Sequence, residues 1–188
     1  MIASNLFSLL KIFLLCLVAV YGTFNYLVKP TWIYGVSMYP TLKDGAFCGK
    51  QCLLWGHFRM FTDRILSLPM IQKFAPVVIV KRVIGLPGET IAYKDGKLYV
   101  NHQVVEETFL DTTYMEKAMK EKSLSVFTQD MEEITLQKDE YFLAGDNRVN
   151  SLDSRTPSVG PFHRNQIIAK GVLVYSPLSK VRYISDGK

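Results

Sequence analysis

A chain of 188 residues can hold one moderate domain plus an appendage and bury a sizeable core. Hydrophobic residues at 48% and charged residues at 21% exclude a disordered or coiled-coil chain. The net charge of +5 suits a domain near an anionic membrane surface, and no aromatic-studded basic run argues for nucleic acid as a partner.

Residues 6–28, LFSLLKIFLLCLVAVYGTFNYLV, form the first apolar run. As a helix these residues would span about 34 Å, against a hydrocarbon core of about 30 Å. Lys11 lies near one end and can snorkel to the interface. No small-x-small site follows before Pro30, which disfavours a cleavable signal peptide. The expectation is one N-terminal transmembrane helix, with residues 1–29 as a membrane anchor and the lipid bilayer as a partner. Lys11 and Lys29 do not decide its orientation.

Beyond Pro30, short apolar segments alternate with turns. Thr31 to Val36 has extended character. Val77 to Ile84 is β-branched and strand-like. Asp95-Gly96 between IAY and KLYV predicts a hairpin, and Asn101-His102 begins a second turn into Gln103-Val104-Val105. Thr113 to Lys122 predicts a short surface helix. Glu140 to Ala144 and Ile167 to Tyr175 predict two more strands. The fold class is therefore mainly β: an antiparallel, partly closed, barrel-like domain over residues 30–188.

The cysteines, Cys16, Cys48 and Cys52, read as small buried hydrophobes. Four strand steps would hold Cys48 and Cys52 roughly 13 Å apart, so they could pair only across a turn. No His/Cys spacing suggests a metal, and none is expected as a cofactor. His57, His102 and His163 are scattered and read as surface or structural residues.

Three stretches carry candidate chemistry. Gly35 to Leu42 reads GVSMYPTL. Its Ser37 needs a base within hydrogen-bond reach to become a nucleophile, and it is otherwise a turn serine. Gly35 would let a substrate backbone come close. Val77 to Gly88 reads VVIVKRVIGLPG. Strand alternation means that Lys81 and Arg82 cannot both face solvent. A lysine in apolar surroundings loses its charge more easily and can act as a general base, whereas an arginine cannot. The alternative is a pair of charges that guards an aggregation-prone strand. Gly145 to Arg155 reads GDNRVNSLDSR. Gly145 is expected at positive φ, ahead of a self-bonded loop through Asp146 and Asn147. Asp153 and Arg155 can pair, and Ser151 offers a hydroxyl to a neutral amine. The alternative is an ordinary polar loop.

In this order the three stretches resemble the type I signal peptidases of bacteria and their organellar relatives (leader peptidases, serine peptidase family S26). The resemblance covers nearly the whole chain. It implies a membrane-bound serine endopeptidase, single-pass in the cytoplasmic membrane, whose catalytic domain lies on the extracytoplasmic face. Its substrates would be exported preproteins cut after a small-x-small site. By the family pattern Ser37 is the nucleophile and Lys81 the general base. Ser151 orients the lysine, Asp153 and Arg155 brace it, and Asp146, Asn147 and Arg148 support that loop. Ile33, Leu42 and Val80 flank the dyad residues as pocket candidates.

The chain departs from the pattern in three places. Gly35 stands where some members have a hydroxyl residue. Val149 replaces an acidic residue often found there. FAPVVIVKR looks compressed, as though about ten residues were missing from the hairpin before the lysine strand. That compression motivates a different reading, a non-catalytic membrane-anchored assembly or scaffold protein of the same fold. A third, an autoproteolytic Ser-Lys repressor, is disfavoured by the apolar N-terminus.

Overall fold

The computed structural model describes residues 2–23, 28–32, 34–51, 58–61, 79–174 and 181–184. Helix α1 runs Ile2–Gly22. It shows its apolar side chains outward on every face, from Leu6 and Phe7 to Val20 and Tyr21. The expected 6–28 span is not what forms: the helix stops at Gly22, and the chain is already a strand from Val28. Residues 6–22 in helix cover only about 26 Å. Among the described residues, no helix is long and apolar enough to cross a membrane. Cys16 also departs from expectation, being exposed on this helix rather than buried. Cys48 lies in a strand, and Cys52 and His57 fall outside the described residues.

The rest of the chain is mainly antiparallel β. In chain order the strands are β1 (Val28–Trp32), β2 (Phe47–Gln51), β3 (Phe58–Phe61), β4 (Ile79–Gly85), β5 (Thr90–Lys94), β6 (Lys97–Val100) and β7 (Gln103–Val105). They continue with β8 (Met131–Thr135), β9 (Glu140–Ala144), β10 (Phe162–His163), β11 (Ile167–Val174) and β12 (Arg182–Ile184). The larger sheet has the order β1-β2-β11-β3-β4-β9-β10, with β12 also on β11; the smaller is β7-β6-β5-β8. Among the described residues the larger sheet is an open path, with no pair that joins β1 to β10.

Extended backbone at the start of the domain ends at Trp32, and Val36 is already in a bend. The strand opposite the lysine strand is β3, which pairs Arg59 with Lys81 and Met60 with Val80. The expected compression is therefore corrected. The ladder partner of β4 comes from farther upstream, Phe58–Phe61, and residues 62–78 connect the two. The predicted strand start at Val77 and Val78 lies outside the described residues.

The small sheet follows its turn chemistry. Asp95 and Gly96 sit at φ 50 and 73, and Asn101 and His102 at φ 50 and 64. Positive φ at both central residues gives the twist that closes a two-residue hairpin, so Lys94 pairs Lys97 and Val100 pairs Gln103. Helix α2, Thr112–Lys122, is capped by the Asp111 carboxylate, which accepts from the Tyr114 N–H. It buries only Ala118, as a surface helix should.

Two apolar clusters flank β4 and β9. One joins Val83, Leu143, Phe162 and Ile167; the other joins Ile91, Tyr93, Leu98, Leu136 and Phe142. The sheets meet at Gly85, where a Cβ would come within 2.7 Å of the Ile91 side chain. A glycine there lets β4 pass close to the small-sheet core. This fixes the Gly85 end of the strand that carries Lys81 and Arg82.

Candidate active site

Ser37 lies in the connection between β1 and β2. Tyr39 N–H donates to the Val36 carbonyl (3.0 Å) and Leu42 N–H to the Met38 carbonyl (2.8 Å). Met38 and Leu42 are each 1% exposed, so the turn is pinned by its own apolar residues while Ser37, just before them, stays half-buried. Gly35 has φ +92 with open space around it, and its N–H donates to Asp44 Oδ1 (2.8 Å). The chain thus reaches Ser37 through a conformation that favours glycine and leaves one side of the turn uncovered.

The turn is held from the third stretch. Asn147 N–H donates to the Ser37 carbonyl and Asn147 Nδ2 to the Val36 carbonyl, both at 3.0 Å. Thr41 Oγ1 donates to Asp146 Oδ2 at 2.6 Å. Asp146 also accepts a bidentate pair from Arg82, Nε to Oδ1 and Nη2 to Oδ2, each 2.8 Å. One buried carboxylate therefore ties together the serine turn, the lysine strand and the loop that follows β9.

Lys81 is 3% exposed, and Arg82 beside it 4%. Strand alternation sends them to opposite faces, yet both faces are covered, so neither is a solvent-facing guard charge. Lys81 Nζ donates to Ser151 Oγ at 2.8 Å. Ser151 Oγ donates in turn to Asp153 Oδ2 at 2.5 Å. Burial lowers the Lys81 pKa to about 8; the Asp153 carboxylate pulls the other way, and Arg155 adds to the lowering. Burial alone would raise the Asp153 pKa, but hydrogen bonds from Arg155, Ser151 and the Gly145 N–H hold it below the ordinary carboxylate range. Arg155 grips both Asp153 oxygens at 2.8 Å, and its Nη1 donates to the Arg148 carbonyl (3.0 Å). The expected Asp153–Arg155 ion pair forms.

Gly145 corrects another expectation. Its φ is not in the left-handed region, so backbone freedom does not explain the residue. Crowding does: a Cβ there would collide with the Ser37 carbonyl oxygen and with Ser151 Oγ. The serine turn and the lysine's hydroxyl partner thus meet across a glycine too small to separate them. Of the pocket candidates, Leu42 and Val80 are buried at 1% and 7% exposure, and Ile33 lies outside the described residues. His102 and His163 are exposed and lean on Glu133 and Asp139, away from these groups.

Sequence reasoning missed four residues here. Asp44 closes the serine turn. Tyr93, Glu107 and Phe109 surround the arginines, with the Phe109 ring 4.0 Å from Arg82 Cζ. Glu107 and Phe109 sit in an irregular stretch with no periodicity, and nothing local marks them.

A buried amine on a neutral hydroxyl, beside a glycine-opened serine turn, defines an architecture suited to hydrolysis by a serine. The family match and the sequence relatives point the same way. Residues 6–176 match the family described as signal peptidase, peptidase S26. The signal peptidase I P of Bacillus subtilis subsp. natto is 34% identical over 96% of this chain and 94% of that protein. The signal peptidase I T of Bacillus subtilis is 34% identical over 84% and 79% respectively. A crystal structure of a signal peptidase I from Enterococcus faecalis aligns with 27% identity over 62% of this chain and 95% of that one, at a TM-score of 0.43. The chain belongs to the S26 signal peptidase family and is a serine peptidase, a hydrolase.

Proposed function

We propose that this chain removes N-terminal signal peptides from exported preproteins, with Ser37 as nucleophile and Lys81 as its general base. The observation that carries this reading is the state of Lys81: 3% exposed, held by a hydroxyl at 2.8 Å, with its pKa down to about 8. Near neutral pH a useful fraction of such amines is uncharged. Neutral Lys81 takes the Ser37 proton as Oγ attacks the scissile carbonyl. The tetrahedral intermediate collapses, Lys81 gives the proton to the leaving amine, and an acyl-enzyme remains. Water, deprotonated by the same amine, then releases the signal peptide and restores Ser37. The Ser37 N–H is the first candidate donor to the oxyanion. Gly35 brings no side-chain donor, so the second would have to come from elsewhere.

Ser151, Asp153 and Arg155 keep the lysine oriented, and Asp146, Asn147 and Arg148 keep that group on the serine turn. Small side chains at the first and third positions before the cut would need only shallow apolar pockets, for which Ile33, Leu42 and Val80 are the candidates. The enzyme works at the bilayer. Exposed apolar side chains on all faces of α1 suit a helix embedded in lipid rather than water. The helix within residues 1–29 then serves as the anchor and 30–188 as the peptidase domain, a mainly antiparallel β unit on the extracytoplasmic face.

Incubating the purified full chain with a precursor that bears a small-x-small site tests this. The parent cuts at that site while Ser37→Ala and Lys81→Ala leave the precursor intact. Equal cleavage by either variant rejects the assignment, and an inert parent favours the scaffold reading.

A further inference from the structure

The three sequence stretches do not contain everything that holds Ser151 against the serine turn. Arg148 is the link out of them. Its side chain is fully buried, and its Nε donates to the Gly145 carbonyl at 2.9 Å. Its other nitrogens leave the loop. Nη1 donates to the Tyr93 hydroxyl at 2.6 Å, and Nη2 to Glu107 Oε1 at 2.7 Å. Tyr93 OH donates to Glu107 Oε1 at 3.0 Å, which closes a buried three-membered ring of contacts. Tyr93 is 1% exposed, and the Glu107 side chain 9%. Tyr93 belongs to β5 of the small sheet, and Glu107 follows β7 of the same sheet.

Each side of Gly145 is therefore fixed by a different route. Its N–H is on Asp153, and its carbonyl is on Arg148. Its Cα fills the narrow gap between the Ser37 carbonyl and Ser151 Oγ. The Arg148 carbonyl also receives Arg155, the partner of Asp153. A shift of the Arg148 guanidinium moves Gly145, and with it the spacing between the turn that carries Ser37 and the hydroxyl that holds Lys81. The neighbouring Val149, where the family resemblance leads one to expect an acidic residue, offers Arg148 no carboxylate. Glu107 supplies one from outside the loop.

We propose that Glu107 and Tyr93 are positioning residues for the peptidase reaction, acting through Arg148 on Gly145 to set the gap between the serine turn and Ser151. They touch neither Ser37 nor Lys81 in this network, so their effect falls on the chemical step rather than on substrate binding. This rests on the peptidase reading above.

The test is steady-state cleavage of a small-x-small precursor by the full chain in detergent micelles, comparing parent, Ser37→Ala, Tyr93→Phe and Glu107→Gln. An ångström of misplacement can cost about 10²-fold in rate, so Glu107→Gln is expected to lower kcat by about 10- to 100-fold with KM within about twofold of the parent. Tyr93→Phe removes one oxygen and keeps the ring in its core, so it is expected to lower kcat by roughly 3- to 10-fold, again at constant KM. Glu107→Asp, which keeps the charge, should recover part of the loss where Glu107→Gln does not. If Glu107→Gln fails to fold, Tyr93→Phe decides alone. Parent-like kcat in folded Tyr93→Phe, or a loss carried by KM, overturns the proposal. A parent as inactive as Ser37→Ala would instead remove the reading on which it rests.

Discussion

Lys81 and Arg82 are neighbours on one strand, almost equally buried, and they meet opposite solutions to the same problem. Burying a cation is costly unless it is paired. Arg82 meets Asp146 through two 2.8 Å hydrogen bonds and covers the Phe109 ring at 4.0 Å. Lys81 donates to a neutral hydroxyl, with the nearest braced carboxylate, Asp153, one step further along. The arginine ties the site together. The lysine is pushed toward the neutral amine, the form able to take a proton. At equal depth, the paired carboxylate opposite Arg82 marks a tie between elements, and the neutral hydroxyl opposite Lys81 marks an amine whose charge burial disfavours.

That contrast can be broken at either residue. Lys81→Met is expected to reduce cleavage by roughly 10³-fold or more in precursor assays, as loss of a general base does. Its stability should not fall. A lysine whose folded pKa lies below its unfolded value destabilises the fold wherever it is protonated. That cost is present in full below about 8 and fades as pH rises toward 10.5, the ordinary value for a lysine. At neutral pH it is on the order of 3 kcal/mol, which Met removes while keeping much of the volume. Urea unfolding at pH 7 should therefore show Lys81→Met at least as stable as the parent. Arg82→Met should behave in the reverse way. It leaves the buried Asp146 without its cationic partner, at an expected loss of about 3–5 kcal/mol in the same measurement. A Lys81→Met variant as unstable as Arg82→Met would erase the distinction.

Gly145→Ala sharpens the comparison from the loop side. The new methyl must displace the Ser37 carbonyl or Ser151, at an expected cost of about 1–3 kcal/mol and a fall in kcat of at least about 10-fold. The smallest effect is expected from Asp153→Asn. The Asp153 charge raises the Lys81 pKa, so its removal should move the rising limb of the pH–activity profile to lower pH, read in the residual activity.

Strand alternation already told that Lys81 and Arg82 face different ways, and the Asp95-Gly96 turn announced its hairpin because only positive φ at both positions suits that connection. The Asp153–Arg155 pair was legible because two residues of loop can hardly keep them apart. Long-range facts were not. β2, FCGKQ, and β8, MEEIT, lack a local strand pattern and exist because distant partners hydrogen-bond to them. Gly145 was expected to be a conformational glycine and is a steric one, since one of the atoms that crowd it, the Ser37 carbonyl oxygen, comes from a turn more than a hundred residues earlier. The end of α1 was misplaced because hydropathy carries no signal for where a helix yields to the first strand.

The account stands most directly on the pH dependence of kcat/KM for the purified full chain, measured with a small-x-small precursor across the neutral to alkaline range. If neutral Lys81 is the base that activates Ser37, activity rises along a single limb centred at about 8 and then levels, because the amine loses its proton there. A profile flat through that range, or a limb centred near an unperturbed histidine at about 6.5, would contradict it.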